Sequence, residues 1–290
     1  MKRNIGFLYA WGYILNIALS TVYVEILGSL ANIWAMLLFS TLCAYIIFNM
    51  CNLGNIISSH KMIFKDIKLW LLCSSSISFA WLFSYVGTVY SGASFSLAVT
   101  FLSLAACSAI CSKYLIKSII CIIAVLISYV FNKDASLIGL VACILNGFFL
   151  YLYAKFSKKF SQNNDLNVIG MLSIRFYPLI LISFIGFGFS ISYGKYEYIT
   201  VSYIYLVVQL IILGVINRVL PMLFSQNAIN ILGENEIGIL FSFIPVITFF
   251  FESLIDQNFS ILLFVVSMIA GFALNFDKVF RIILERKFYR

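Results

Sequence analysis

Two arginines, Arg175 and Arg218, lie within apolar stretches of this sequence, where a charged side chain is rare. A guanidinium in an apolar surrounding must face a partner, a water-filled cavity or lipid headgroups, because hydrocarbon does not solvate it. Its planar fork of N–H donors suits a carboxylate or a phosphate. The two positions therefore predict recognition of an anionic group, and each also has a structural alternative.

The alternatives depend on the helices that carry the arginines. Arg175 comes about seven residues into a predicted helix, so its long side chain could reach the headgroups on the inner side instead of a pocket. Arg218 ends its helix at the membrane surface if that helix begins at Thr200. If the helix begins near Leu206 and continues to Asn227, Arg218 lies near the middle of the membrane.

Uncharged polar and aromatic residues inside the apolar stretches are further candidates for binding a substrate. They are the amides Asn16, Asn146 and Gln209, together with Trp81 and Ser103. Each also has a structural interpretation, since amides and hydroxyls commonly form hydrogen bonds between membrane helices and aromatic rings fill space between them. The sequence leaves both interpretations open.

Residue patterns typical of catalysis or of metal binding are missing from the sequence. It has no paired aspartates for Mg²⁺, no H-E-x-x-H and no G-x-S-x-G, and its single histidine, His60, is predicted in a loop. Cys107 and Cys111 are spaced four apart without a further ligand. No carboxylate is predicted at mid-depth in the membrane. We therefore expect no enzyme activity, no cofactor and no metal.

The elements that must position these residues are helices in a membrane. Hydrophobic residues make up 63% of the 290 residues and charged residues only 10%, whereas a soluble chain is typically about 25% charged. Crossing a bilayer takes ~20 apolar residues in a helix. The sequence predicts ten such helices, at 5–24, 29–50, 67–86, 91–111, 114–131, 136–156, 168–190, about 200 to between 218 and 224, 236–251, and 259–275.

The distribution of positive charge supports this count and predicts the orientation. Lysines and arginines of short loops concentrate on the cytoplasmic side. With the amino terminus inside, only Lys133 and Lys195 fall in outer loops; Arg175 and Arg218 are within or at the end of helices, and the other lysines and arginines are inside. We expect an inner-membrane protein with both termini cytoplasmic. Contact with anionic lipid explains the net charge of +8, so no nucleic-acid partner is expected.

The ten helices divide into two sets of five, residues 1–135 and 136–290. Because five is odd, a repeat of one set by the other must be inverted in the membrane, which is the common plan of secondary transporters. Local similarity is visible where a helix, a glycine-bearing turn at Gly92 or Gly233, and an apolar helix follow one another. The sequence thus predicts an all-α membrane protein made of two inverted five-helix repeats.

Several short segments follow a pattern known from one transporter family. They are Trp11-Gly12, 137–159, Leu232-Gly233 followed twelve residues later by Pro245-Val246, Phe251-Glu252 through Asp256, and 260–272 with Gly271. On these segments the chain resembles the drug/metabolite transporter superfamily, in particular its EamA type. It departs from the family pattern in both halves: the first half has Leu104 in place of the expected proline, and the acidic residue after the ninth predicted helix is displaced.

The resemblance implies a secondary transporter that moves small organic metabolites by alternating access. Amino-acid-like solutes moved outward are the cargo that the family implies first. The alternatives are a nucleotide-sugar or phosphate-ester carrier of the same superfamily, which an interior Arg218 would favour, and a membrane protein that does not transport, such as an assembly factor or a lipid-modifying enzyme. The expected partners are the small-molecule substrate and membrane lipids. The sequence does not predict an oligomeric state.

Overall fold

The computed structural model describes residues 2–132, 134–164, 167–192 and 203–288, which form helices and turns without any strand. Lys133 and Lys195 lie outside the described residues. The helices are α1 Lys2–Gly28, α2 Ile33–Cys51, α3 Ile56–Lys65, α4 Ile67–Ser91, α5 Ala93–Cys111, α6 Leu115–Phe131, α7 Leu137–Asn164, α8 Val168–Ile174, α9 Tyr177–Ser192, α10 Tyr203–Gly214, a π-helix Val215–Val219, α11 Leu220–Phe241, α12 Ile244–Asp256 and α13 Ile261–Phe288.

The all-helical membrane architecture is confirmed. In the described part of the chain, eight helical segments are long and apolar enough to cross a membrane, and Leu115–Phe131 and Ile261–Asn275 are shorter apolar helices. Large aliphatic side chains lie exposed on the outer faces; on α6, Ile116 is 76% exposed. Such faces fit lipid, since a water-soluble protein rarely exposes long apolar stripes.

Three predicted elements differ from the structure. The predicted helix 168–190 is divided between α8 and α9, because Pro178 has no N–H for the carbonyl of Ile174. The loop expected around His60 is the helix α3, and its imidazole Nε2 lies 2.5 Å from the hydroxyl of Tyr177. The predicted helix 236–251 is divided between the end of α11 and α12, with Pro245 in the first turn of α12.

Two glycines have nearly the same unusual backbone conformation at corresponding places. Gly92, between α4 and α5, has φ 84° and ψ 158°, and Gly233, within α11, has φ 80° and ψ 161°. This region of backbone space is essentially restricted to glycine. Each glycine follows the third apolar helix of its half, which is where the sequence shows its local similarity.

The helices of the two halves are interleaved. The most extensive pairing is that of α4 with α7, and the next is that of α1 with α11. α7 also packs on α5, as α1 packs on α12. The first apolar helix of each half therefore contacts the third and fourth apolar helices of the other half, and the largest interfaces of the bundle lie between the halves.

The glycine conformation can be tested by replacing Gly92 and Gly233 with alanine. Each replacement should lower the free energy of unfolding by about 1–3 kcal/mol, because a Cβ is strained at these dihedral angles. Gly92→Ala should lose more, since its Cβ would lie 2.9 Å from Oε1 of Glu252, whereas the Cβ at Gly233 would meet nothing within 4 Å. The measurement is unfolding by SDS titration in mixed micelles.

Gly188→Ala is the control, because Gly188 lies in a regular helix and an added Cβ would meet nothing within 4 Å. It should leave the free energy of unfolding unchanged or raise it slightly, since alanine favours a helix over glycine. Equal losses in all three variants would contradict the assignment of special backbone strain to Gly92 and Gly233.

Candidate functional site

The placement of Arg218 follows from a local widening of its helix. Pro221 has no N–H to donate to the carbonyl of Asn217, and its ring would clash with that carbonyl in a regular α-helix. The chain avoids the clash by forming one π-helical turn, in which the N–H of Leu220 donates to the carbonyl of Val215. Such turns are frequent at functional sites. The helical path therefore continues through Arg218 instead of ending there.

Arg218 lies at the middle of a helical segment that is long and apolar enough to cross a membrane. The span runs from Ile204 to Gly233, so Arg218 comes 14 residues after its start and 15 before its end. Its side chain is 0% exposed. The structure therefore selects the second of the two predicted positions for Arg218, the one near mid-depth.

A hydrogen-bonded cluster of four helices surrounds this arginine. Nε of Arg218 donates to Oγ of Ser40 on α2 at 3.1 Å, and the hydroxyl of Tyr85 on α4 lies 3.4 Å from the same Oγ. Tyr85 donates to Oδ1 of Asn217 at 2.9 Å, and Nδ2 of Asn217 donates to Oγ of Ser20 on α1 at 2.9 Å. We call these five residues, with Trp81, the Arg218 cluster.

The guanidinium of Arg218 keeps two nitrogens free. Neither Nη1 nor Nη2 makes a hydrogen bond of good geometry, although both are buried and the guanidinium interacts with the neighbouring hydroxyl of Tyr85. The Cζ atom lies 4.3 Å from the ring centroid of Trp81 and 5.4 Å from that of Tyr85, and both distances allow a cation–π attraction. The indole N–H of Trp81 is also buried without a partner. The cluster therefore contains three donor nitrogens without an acceptor, two on Arg218 and one on Trp81, together with a buried positive charge.

No carboxylate in the described part of the chain neutralises this charge. The ion pair found there joins Arg3 to Glu236 at 2.8 Å, and both side chains are substantially exposed. Leaving a buried charge unpaired is expensive in an apolar medium, and the cation–π attraction to Trp81 offsets this cost only in part. An anion is the chemical group that the cluster is suited to bind.

Arg175 is buried in a different way. Because Pro178 frees the carbonyl of Ile174, the indole N–H of Trp70 donates to that carbonyl at 2.9 Å, and Arg175 occupies the break between α8 and α9. Its Nη1 donates to the hydroxyl of Tyr153 on α7.

The second terminal nitrogen of Arg175, Nη2, donates to Sδ of Met222 on α11 at 3.3 Å. The side chain is 3% exposed, so it does not extend to the headgroups. Arg175 joins three helices through both ends of its fork, which leaves only its Nε unbonded. The geometry supports a structural role for Arg175, which links three helices. It supports a ligand-binding role for Arg218, whose terminal nitrogens are unbonded.

The structure places the remaining predicted residues outside the Arg218 cluster, with one exception. Trp81 belongs to the cluster. Asn146 on α7 donates to Oγ1 of Thr100 at 3.1 Å, and the carbonyl of Gln209 on α10 accepts the hydroxyl hydrogen of Tyr23 on α1. These amides make the hydrogen bonds between helices that the structural interpretation predicts.

Ser103 and Asn16 are also separate from the hydrogen bonds of the cluster. Ser103 is buried where α5 meets α7, and its Cβ lies 2.6 Å from the position that a Cβ on Gly147 would occupy. This close approach of two helices fits packing by small residues. Asn16 is half-buried on α1, one turn before Ser20. It is the predicted amide whose sequence position brings it nearest to the cluster.

Sequence reasoning missed Ser20, Ser40 and Asn217 as parts of this site. A usable signal was present: Arg175 and Arg218 each stand three residues before a proline, Pro178 or Pro221. A proline within an apolar helix widens or breaks the turn before it. The spacing therefore marks both arginines as residues at helix interruptions, where buried polar groups can be accommodated.

A second polar group lies at the end of the bundle that the sequence predicts to face outward. Glu25 on α1 accepts the N–H of Ala93 at 2.9 Å, and Glu252 on α12 accepts the N–H of Ser94 at 2.6 Å. Both carboxylates thus cap the first turn of α5, where the helix dipole favours negative charge.

With Asp256, these two glutamates form the one group of three potential metal ligands found in the described part of the chain, their oxygens lying within 4.8 Å of one another. Two of the three carboxylates already bind backbone amides. The group is accounted for as a cap that holds α1 and α12 against α5.

No protein-family model matches the chain, and no curated protein matches it. The interpretation of the Arg218 cluster therefore depends on its geometry.

The hydrogen bonds of the cluster can be tested with Tyr85→Phe. Removing the hydroxyl leaves Oδ1 of Asn217 buried without a donor, so the free energy of unfolding should fall by about 1 kcal/mol. Tyr90→Phe is the matched control, because Tyr90 follows on the same helix and is 46% exposed. SDS titration in mixed micelles measures both variants, and an equal effect at the two tyrosines would contradict a special role for the Tyr85 hydroxyl.

Proposed function

We propose that this protein is a secondary transporter of small organic metabolites, of the drug/metabolite transporter superfamily and EamA type. The observation that carries the proposal is the Arg218 cluster: a buried charged group with unused donors, held at mid-span between helices of both halves. Substrates of secondary transporters bind near the midplane, where the repeats meet and where helices are interrupted.

We further propose that the chain consists of two inverted five-helix repeats, residues 1–135 and 136–290. The matched conformations of Gly92 and Gly233 support this proposal, as do the exchanged pairings of α4 with α7 and of α1 with α11. In the proposed topology of ten spans with both termini cytoplasmic, Gly92 lies at the outer face and Gly233 at the inner face of the cell inner membrane. Inversion of one half relative to the other requires that arrangement.

Alternating access requires helices that can bend and contacts that can exchange. The three prolines of the chain all interrupt helices of the second half, at Pro178, Pro221 and Pro245. The capping bonds from Glu25 and Glu252 to α5 would close the outer side and would have to break when that side opens. In such a cycle, the complete burial of Arg218 would belong to a state closed to both sides.

The nucleotide-sugar or phosphate-ester carrier is the second candidate, and the mid-span position of Arg218 favours it over a carrier of uncharged solutes. Either carrier would use the arginine to bind an anionic group. A membrane protein without transport activity has no evident use for a buried guanidinium whose terminal nitrogens are unbonded, since such a group lowers stability.

Release of metabolites from cells tests the proposed function. Cells that produce the protein should accumulate at least one small organic solute in the medium severalfold above cells with the empty vector. Arg218→Leu, produced and inserted at the same level, should return that solute to the level of the empty vector, because the buried donor fork is lost. Indistinguishable pools of released metabolites in all three cultures would contradict a transport function in the outward direction.

A further inference from the structure

The two unbonded terminal nitrogens of Arg218 indicate the chemical class of the cargo. This inference rests on the proposed transport function. In the closed state the guanidinium keeps one full positive charge, two unbonded terminal nitrogens and no acidic neighbour among the described residues. A bound anion would supply both the counter-charge and the missing acceptors. A neutral solute would supply acceptors but leave the charge uncompensated at mid-span.

The number of buried guanidinium groups with unbonded terminal nitrogens limits the charge of that anion. Arg175 is the other arginine buried in the spans. Its two terminal nitrogens donate to Tyr153 and Met222, so neither is available to a ligand. Only Arg218 offers a pair of free terminal nitrogens within the described spans. One guanidinium neutralises one negative charge, so a phosphate dianion would keep an unbalanced charge in the interior. A carboxylate matches both the charge and the planar, bidentate geometry of the fork.

The surroundings of the fork limit what the rest of the cargo can carry. Trp81 packs against an apolar cluster that includes Phe48, Val219 and Met222. Glu25 is five residues beyond Ser20 on α1, so it lies about 7.5 Å further along the helix axis. None of the residues of the Arg218 cluster has a carboxylate, so an ammonium group two bonds from the bound carboxylate would find no acidic partner within the cluster.

We infer that Arg218 binds the carboxylate of a small monocarboxylate cargo that has no α-amino group, with the carboxylate bidentate on Nη1 and Nη2 and the indole N–H of Trp81 as an added donor. This narrows the cargo from amino-acid-like solutes in general to acids of amino-acid size such as 2-oxo, 2-hydroxy or N-acylated acids.

Binding to the purified full-length protein tests the inference without any transport measurement. Four probes share a phenyl ring and differ in the group to be recognised: 3-phenylpropionate, its neutral amide 3-phenylpropionamide, phenylalanine and phenyl phosphate. The dissociation constant of each is obtained from the rise in unfolding temperature with ligand concentration. 3-Phenylpropionate should bind at least tenfold more tightly than the other three probes.

Variants then connect the binding to the fork. Arg218→Lys keeps the positive charge but loses the planar pair of donors, so it should weaken binding of 3-phenylpropionate at least tenfold. Arg175→Lys is the matched control and should leave this dissociation constant within twofold. Trp81→Phe keeps an aromatic ring under the guanidinium and loses the indole N–H, so it should weaken binding about threefold or more. If Arg218→Lys does not fold, Trp81→Phe tests the inference in its place.

Several results would overturn the inference. They are no binding of 3-phenylpropionate, equal binding of the amide, tighter binding of phenyl phosphate or phenylalanine, and unchanged binding in both Arg218→Lys and Trp81→Phe. Because the assay measures binding alone, selective carboxylate binding without metabolite release would contradict the proposed transport function and leave this assignment of Arg218 intact. Metabolite release without selective carboxylate binding would support the proposed transport function and contradict this assignment of Arg218.

Discussion

The rest of this structure depends on one electrostatic constraint: the guanidinium of Arg218 is held at the middle of an apolar helix bundle, and no described carboxylate pairs with it. Ser40 and the rings of Trp81 and Tyr85 contact the cation, but none of them carries a negative charge. Ordinary membrane proteins avoid this arrangement, because the desolvation of a charge is only partly offset by neutral dipoles and aromatic faces. Its presence is understandable if an anion joins the cluster during the working cycle.

Proline makes the arrangement possible within a helix. Pro221 prevents a regular turn before it, and the resulting π-helix brings Asn217 and Arg218 into the space between α1, α2 and α4. Pro178 produces the corresponding interruption before α9 and positions Arg175. The two sites differ in what the neighbouring helices provide. Around Arg175 the neighbours offer acceptors to both terminal nitrogens, whereas around Arg218 they offer one acceptor, to Nε.

The contrast between these arginines explains why a buried charge alone does not identify a binding site. Arg175 satisfies its fork within the protein and thereby holds α7, α8 and α11 together. Arg218 is held in place through Nε and by the rings beneath it, which leaves its terminal nitrogens fixed in direction but unbonded. Preorganised donors of this kind bind a ligand without first having to break bonds within the protein.

Much of the helical architecture could be predicted from the sequence, because apolar stretches of membrane length determine it locally. The glycine turn at Gly233 and the proline step at Pro245 were also visible as local patterns. The break at Pro178 could have been predicted from the proline itself. The depth of Arg218 could not, since it depends on whether the helix ends or widens at Pro221, and neighbouring helices decide that.

The convergence of side chains from distant segments was also beyond sequence reasoning. Ser20 meets Asn217, and Glu25 and Glu252 meet at the start of α5, although these residues are far apart in the chain. Without aligned relatives to show covariation, one sequence does not indicate which polar residue faces which helix. The candidate site was therefore predicted only through its arginine and Trp81.

The unfolding stability of the ligand-free protein with Arg218→Met, compared with Arg175→Met, tests the central claim most directly. Methionine keeps an unbranched side chain in both places and removes the charge. If Arg218 is an unpaired charge retained for a ligand, Arg218→Met should be as stable as the wild type or more stable, whereas Arg175→Met should be destabilised by several kcal/mol, since it breaks a buried network. A loss of stability in Arg218→Met as large as that in Arg175→Met would contradict the account and identify Arg218 as a structural tie.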